Sequence, residues 1–393
     1  MNQLAPICFY HFPVNKEIAI DLKTYIMIKS LFTTLALISG VHFVIAQDLI
    51  PMDTLHWDIQ ARSYVLEPYM GKESVYLQGG SIALKNANFL NGTIEYDVFL
   101  KETQAFPGVY FRINGSDAEH FYLRSHQSGN PDANQALPLT KGIAPWQLYY
   151  GVKYSFPYEY HYDDWTHVKI VVNNERAQVY LDHSEKPHLS WQLFHQPKAG
   201  GLSLTGGNAE AVHLANIRID RDSFEMKDYS PLDREPTEGL IPAWEVSDKF
   251  DEKLLKDPSV IRETAGKRSW VGKINVEEGT AANISRQVQR YDDNPGNTVF
   301  ARITVNSETV QSRLFEFGYS DRVVVILNNE PIYRGTNNYR SRDYRYLGTV
   351  GLFDAVYLHL KKGNNTLLLG VSEDFGGWLV TGRIVDMSGI RID

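Results

Sequence analysis

The run Asp164-Trp165-Thr166-His167-Val168-Lys169-Ile170-Val171-Val172, then Asn173-Asn174-Glu175-Arg176, then Ala177-Gln178-Val179-Tyr180-Leu181-Asp182 constrains the fold of this chain most. Two stretches rich in β-branched residues flank a tight polar turn, the pattern of an antiparallel hairpin. The same texture extends from residue 47 to about 220. Ile94, Tyr96, Val98 and Leu100 alternate with Glu95, Asp97 and Phe99, as in a half-buried strand. Residues 109–113, 200–207 and 212–219 read as further strands, separated by Gly, Asn and Pro turns.

Between residues 221 and 243 this pattern breaks. Pro231, Pro236 and Pro242 stand among charged residues, as in a linker. A short amphipathic helix is expected next, with Ser247 as N-cap and Phe250, Leu254 and Leu255 on one face. Strands then resume. Residues 323–327 and 330–333 flank Asn328-Asn329 as a second hairpin, and residues 356–360 lead through a Gly-Asn turn into 366–371. A length of 393 residues accommodates two cores. The predicted fold class is all-β, with two β-sandwich (jelly-roll) domains at 47–220 and 244–393 joined by a Pro-containing linker at 221–243.

The Trp165 hairpin resembles the "Trp-x-x-Val-x-Val, turn, Val-x-Leu-Asp" hairpin of the concanavalin A-like, or laminin G-like, β-sandwich superfamily. Gly108-Val109-Tyr110-Phe111-Arg112, Gly201-Leu202-Ser203-Leu204 and Asn216-Ile217-Arg218-Ile219 follow the superfamily's order, so the resemblance covers nearly the whole first domain. It implies a protein that handles glycans, without deciding between binding and cleavage. The second domain carries Leu358-His359-Leu360-Lys361-Lys362-Gly363-Asn364-Asn365-Thr366-Leu367, which looks like the tail of galactose-binding-like jelly rolls. Such modules commonly accompany glycosidases.

The N-terminus fits a secretion signal behind an extension. From Met27 a positive stretch with Lys29 precedes the apolar block 31–45, and Ala46 ends it before Gln47. Residues 1–46 are therefore expected to be an extension plus a signal (27–46), giving a secreted or periplasmic protein without a stable membrane span after signal removal. The one cysteine, Cys8, lies upstream of that signal, so the expected mature chain has no thiol for a disulfide, a thiolate zinc site or a nucleophile. A formal charge of −8 argues against nucleic acid as partner, because phosphate-driven affinity needs a basic face.

Glu95 and Asp97 are the first candidates for catalysis, since residues i and i+2 of a strand share a face. Laminarinase-type glycosidases, which the first domain resembles, use Glu-x-Asp and a second Glu two or three residues on, with the two glutamates roughly 5–5.5 Å apart. Phe99 and Leu100 stand where that second Glu would be. The first domain also resembles the 3-keto-disaccharide hydrolase family, through Gly108 to Arg112 and the following Glu119-His120-Phe121-Tyr122-Leu123-Arg124. That likeness makes Glu119, with Arg112 and Arg124, a further candidate; buried Arg–Glu pairing explains the same residues.

For binding, aromatics are the unusual part of the composition, with 23 Tyr, 18 Phe and 7 Trp. Trp146, Tyr154, Tyr158, Tyr160 and Tyr162 belong to a run in which every second residue from 154 to 162 is aromatic. An extended segment would put five rings on one face for a saccharide to stack on, and Pro157 places it at an edge or in a loop. A hydrophobic lid over the sandwich is the other reading. In the second domain Tyr339, Arg340, Arg342 and Tyr344 suit an acidic polysaccharide, Arg forking onto carboxylate or sulfate and Tyr stacking. Asp292, Asp293 and Asn297 offer oxygen ligands for a structural calcium, although the same residue types make plain turns. No other cofactor is expected. The expected function is noncatalytic recognition of an oligosaccharide or polysaccharide. A glycoside hydrolase using the first domain's carboxylates and a protein-contact module are the alternatives, and the sequence leaves the choice open.

Overall fold

A computed structural model describes residues 49–393 apart from 208–209 and 339–342. The expected signal and extension (1–46), and Tyr339, Arg340 and Arg342, lie outside the described residues. Two antiparallel sheets of eleven strands each dominate, with little helix.

The first sheet comprises β1 (Trp57–Tyr69), β2 (Lys72–Leu84), β3 (Gly92–Leu100), β4 (Gly108–Asn114), β5 (Asp117–Leu123) and β6 (Asn134–Leu139). It continues with β7 (Asp164–Asn173), β8 (Arg176–Leu181), β9 (Leu189–Gln192), β10 (Gly201–Gly207) and β11 (Val212–Asp220). Its order is β6-β5-β4-β10-β2-β11-β3-β7-β8-β9, and β1 pairs with β2. β2 belongs to both layers. Its first half, Ser74 to Leu77, pairs with β11, and its second half, Gly80 to Ala83, pairs with β10. Between them Gly79 and Gly80 take φ of 55° and 139°, and a Cβ on Gly80 would collide with the Gln60 carbonyl of β1. Only glycine permits this bend. It folds the sheet over a core that joins Val75, Ile82, Val98 and Ile170 to Phe111, Phe121 and Leu204. The opening hairpin forms as β7 and β8, turning at Asn174 with φ 51°.

The second sheet comprises β12 (Ala243–Ser247), β13 (Trp270–Glu277), β14 (Ala281–Asn283), β15 (Thr298–Ser307), β16 (Gln311–Ser320) and β17 (Arg322–Leu327). Then come β18 (Glu330–Thr336), β19 (Asp354–Leu360), β20 (Gly363–Ser372), β21 (Leu379–Ile384) and β22 (Ile390–Ile392). The order is β18-β17-β20-β15-β12-β13-β14-β21-β16-β19, with β22 beside β15. Trp244, Phe317, Leu369 and Trp378 lie in its core.

The expected helix forms later than Ser247 implies. Ser247 ends β12, and its hydroxyl accepts from Phe300 N. Glu252–Leu255 makes only a 3₁₀ turn, and the α-helix is Pro258–Gly266. Asp257 caps that helix by accepting from Ser259 N, and Pro258 supplies the first-turn φ, a stronger start than a serine committed to a sheet. The segment between the sheets is fastened at several points. Arg234 donates to the Leu148, Tyr150 and Glu278 carbonyls and to the Thr280 hydroxyl. The described residues from 49 to 393 form one compact unit.

Candidate functional site

Strands β10, β4, β5 and β6 turn Leu204, Val109, Phe121 and Ala136 into the core. Strict alternation therefore sends their neighbours to the opposite face. Across that face, Ser203, Tyr110, His120 and Leu137 fall in register as one row, and Thr205, Gly108, Tyr122 and Gln135 as the next. Three rings stack there: Tyr110 on His120 at 3.8 Å between centroids, and His120 on Tyr122 at 5.0 Å, all nearly parallel. They form the floor of a cleft of about 450 Å³, within the size of ordinary small-molecule sites.

Its walls come from both sandwiches. Gln104 and Phe106 precede β4, and Ala144 and Trp146 follow β6. Leu347 and Phe375 arrive from loops of the second sandwich, and Phe375 lies 4.9 Å from Trp146 between ring centroids. A buried polar network holds these pieces beneath the floor. Arg124, only 1% exposed, pairs with Asp132 and donates to the Tyr122 hydroxyl and Gln135 Oε1, each at 2.5 Å. Asp132 accepts from Leu347 N at 2.6 Å, and the Gln135 amide donates to the Trp146 and Tyr149 carbonyls.

The electrostatics of the floor follow from burial. His120 is pushed down to about 3, first by desolvation and then by the Arg124 charge, so its imidazole is neutral at physiological pH. Desolvation pushes the Tyr110 phenol up to about 12. Among the described residues lining the cleft there is no Lys, Arg, Asp or Glu.

The candidates from sequence fall in several places. Trp146 is a cleft wall. The alternating rings from 154 to 162 do not make an exposed row. Tyr154 and Tyr160 are buried at 2% and 6% exposure, with Phe156 beside them in the core. The Tyr160 hydroxyl donates to Ala133 O and the Tyr162 hydroxyl to Ser125 O, while Tyr158 bonds Asp182. This segment is a lid over the sandwich. Asn134 and Ser128 side chains meet its backbone at Phe156 and Tyr160, and only Ala136 N to Tyr154 O and Gly129 N to Tyr158 O join it by backbone bonds on that side, short of a strand ladder. Tyr344 is 93% exposed, on a loop of the second sandwich.

The three carboxylates do not meet in the cleft. Glu95 and Asp97 stand on the outer face of β3. There Asp97 accepts from Lys72 Nζ at 2.8 Å and Asn216 at 2.6 Å, and bonds His167 Nδ1 at 2.7 Å. Glu95 lies 3.7 Å from His167 Nε2. Burial alone would raise Asp97; these partners outweigh it and hold the carboxyl at about 2. Glu119 is 1% exposed on the inward side of β5, where it accepts from the Phe194 and His195 amides and anchors their loop. Arg112 instead clamps the Leu90 and Asn174 carbonyls. Asp292 pairs with Lys249, and Asn297 accepts from Glu252 N. Among the described residues no three His, Cys, Asp or Glu side chains are placed to hold a metal ion.

Tyr110, His120, Tyr122, Leu347 and Phe375 were not anticipated from sequence. The signal for the first three was present, since Val109 and Phe111 flank Tyr110, and Glu119, Phe121 and Leu123 alternate with His120 and Tyr122, but only the fold shows which side is open.

No protein-family model matches the chain, and no curated protein does either. Among solved structures it is similar to carbohydrate binding module CBM66 from Bacillus subtilis, with 13% identity, 42% of this chain and 95% of that chain covered, and a TM-score of 0.33. The Bacillus licheniformis beta-glucanase matches with 9% identity, 44% and 96% coverage, and a TM-score of 0.33. The Caenorhabditis elegans galectin LEC-6 matches with 11% identity, 42% and 99% coverage, and a TM-score of 0.27.

Proposed function

We propose that this chain is a secreted, noncatalytic carbohydrate-binding protein that holds an oligosaccharide, or a short stretch of polysaccharide, in the cleft over β4, β5, β6 and β10. The observation that carries this reading is the cleft's lining. Tyr110, His120, Tyr122, Trp146, Phe106 and Phe375 surround it with aromatic surface, and the Gln104 amide and Tyr110 hydroxyl add sparse polar groups. A pyranose has apolar C–H faces and hydroxylated edges, and such a mixture of rings and sparse hydrogen-bonding groups suits it. Noncatalytic action is favoured because hydrolysis needs two carboxylates facing one groove, and Glu95, Asp97 and Glu119 face elsewhere. Secretion rests on residues 27–46 alone.

The test is affinity electrophoresis through polysaccharide gels, followed by titration calorimetry with the glycan that retards the protein. Tyr110→Ala and Trp146→Ala should each weaken binding about tenfold or more, the equivalent of 1.4 kcal/mol of lost contact. Retardation that both variants keep would move the site out of this cleft, and none across a broad glycan panel would remove the carbohydrate reading.

A further inference from the structure

We infer that the saccharide taken by this cleft is electrically neutral, and that uronates and sulfated sugars are excluded from it. This rests on the proposal that the cleft is a saccharide site, and it runs against the acidic polysaccharide that the Tyr- and Arg-rich segment 339–346 suggests.

The argument is one of missing partners. No described residue lining the cleft is a Lys, Arg, Asp or Glu, and the neutral His120 sits between two tyrosine rings at 8% exposure, with both ring nitrogens closed to solvent. The cation packed against this floor, Arg124, is itself buried. It is engaged by Asp132, Tyr122, Gln135 and the Asp132 carbonyl. A carboxylate or sulfate entering the cleft would shed water and meet no cation. Desolvating an unpaired charge costs far more than a few neutral hydrogen bonds return. A hydroxyl loses less on entry, and Gln104 and Tyr110 are partners of matching strength. The second sandwich sharpens the exclusion. Leu347 and Phe375 cover with apolar surface the side from which its loops approach.

The experiment uses the full chain and glycans paired by a common backbone but differing in charge: dextran with dextran sulfate, and methyl-esterified homogalacturonan with its de-esterified form, beside a wider array of neutral and acidic oligosaccharides. The neutral member of any pair that binds should bind about tenfold tighter or better. Its Kd should stay within about twofold between low and high salt, because no ion pair forms. Gln104→Arg adds a cation at an exposed position on the rim. It should improve binding of the anionic member about threefold or more and, because the Gln104 amide is lost, weaken the neutral member modestly, so that the preference for the neutral glycan narrows.

Tighter, salt-sensitive binding of the anionic member, lost in Arg340→Ala, would overturn the inference and leave a saccharide-binding protein with its site elsewhere. Anionic binding lost instead in Trp146→Ala would keep the cleft as the site and overturn its neutrality. No gain in Gln104→Arg would show that a missing cation is not what excludes anions. An absence of binding across the array would overturn the saccharide reading together with this one.

Discussion

His120 and Asp97 are both ionisable and almost wholly buried, yet they respond to acid in different windows. His120 is held near 3 in the folded chain against an ordinary value of 6.5, so the unfolded chain takes up its proton first. Its contribution is fully present above about pH 6.5 and is lost as pH falls toward 3, a drop on the order of 4 kcal/mol by the lower end. Asp97 is held at about 2 against 3.8. Its contribution is complete above about pH 4 and disappears as pH falls through 2, a loss of about 1–2 kcal/mol after allowance for solvent screening. Urea unfolding from pH 7 to 2.5 should resolve the two. His120→Phe keeps a flat ring between Tyr110 and Tyr122 and removes two buried nitrogens that have no hydrogen-bond partner. It should flatten the decline between pH 6.5 and 4 and leave stability at pH 7 unchanged or higher. Asp97→Asn should cost about 1–3 kcal/mol at pH 7 by weakening the bonds to Lys72 and His167. A His120→Phe curve parallel to wild type would show that folding leaves the proton affinity of the imidazole unchanged.

At the scale of elements, Gly80 is the hinge of the first sandwich. Its φ of 139° and the Gln60 carbonyl behind it leave no room for a side chain. Gly80→Ala should therefore cost about 2–3 kcal/mol or more, read as a lower midpoint in chemical unfolding. Gly115→Ala in the β4–β5 turn has open space around it and only backbone strain against it, so it should cost about 1 kcal/mol. Equal losses in the two would mean that the bend in β2 is not sterically enforced.

The contrast shows what alternation reveals and what it hides. β3, β4, β7, β8, β10 and β11 were legible because period-2 patterning and Asn or Gly turns act locally. The β17–β18 turn was legible for the same reason, with Asn328 and Asn329 both at positive φ. The rings from 154 to 162 mislead by the same rule. They alternate as in a strand, but the sheet edge beside them is met by Asn134 and Ser128 side chains, and the segment becomes a lid. Ser247 likewise looks like a cap until β12 takes it. The cleft was only half legible. Trp146 stands out in sequence, whereas Tyr110, His120 and Tyr122 become a floor only through the pairing of β4 with β5, and Leu347 and Phe375 are more than two hundred positions from it.

For the whole molecule, the question is whether two sandwiches make two proteins or one. Gln147, from the first, donates to Ser320 Oγ at 3.2 Å and accepts from Gly377 N at 2.9 Å, and its carbonyl accepts from Val350 N. Tyr149 donates to Glu277 at 2.7 Å, which Arg286 holds through two bonds, and Lys153 pairs with Glu278. Tyr122, Leu148 and Tyr154 share one apolar cluster with Ala281, Val350 and Leu379. An interface this apolar and this fully bonded couples the two unfolding equilibria, so calorimetry on the intact chain should show a single transition with calorimetric and van't Hoff enthalpies equal. Gln147→Ala leaves the Gly377 amide and the Ser320 hydroxyl short of a partner each and should cost about 2–3 kcal/mol. Because Phe375 and Leu347 reach the cleft through this same interface, the variant should also weaken glycan binding although Gln147 does not line the cleft. Two resolved transitions in the wild-type chain would mean that the sandwiches unfold independently. The cleft would then be a loose apposition of loops, and the binding effect of Gln147→Ala should be absent.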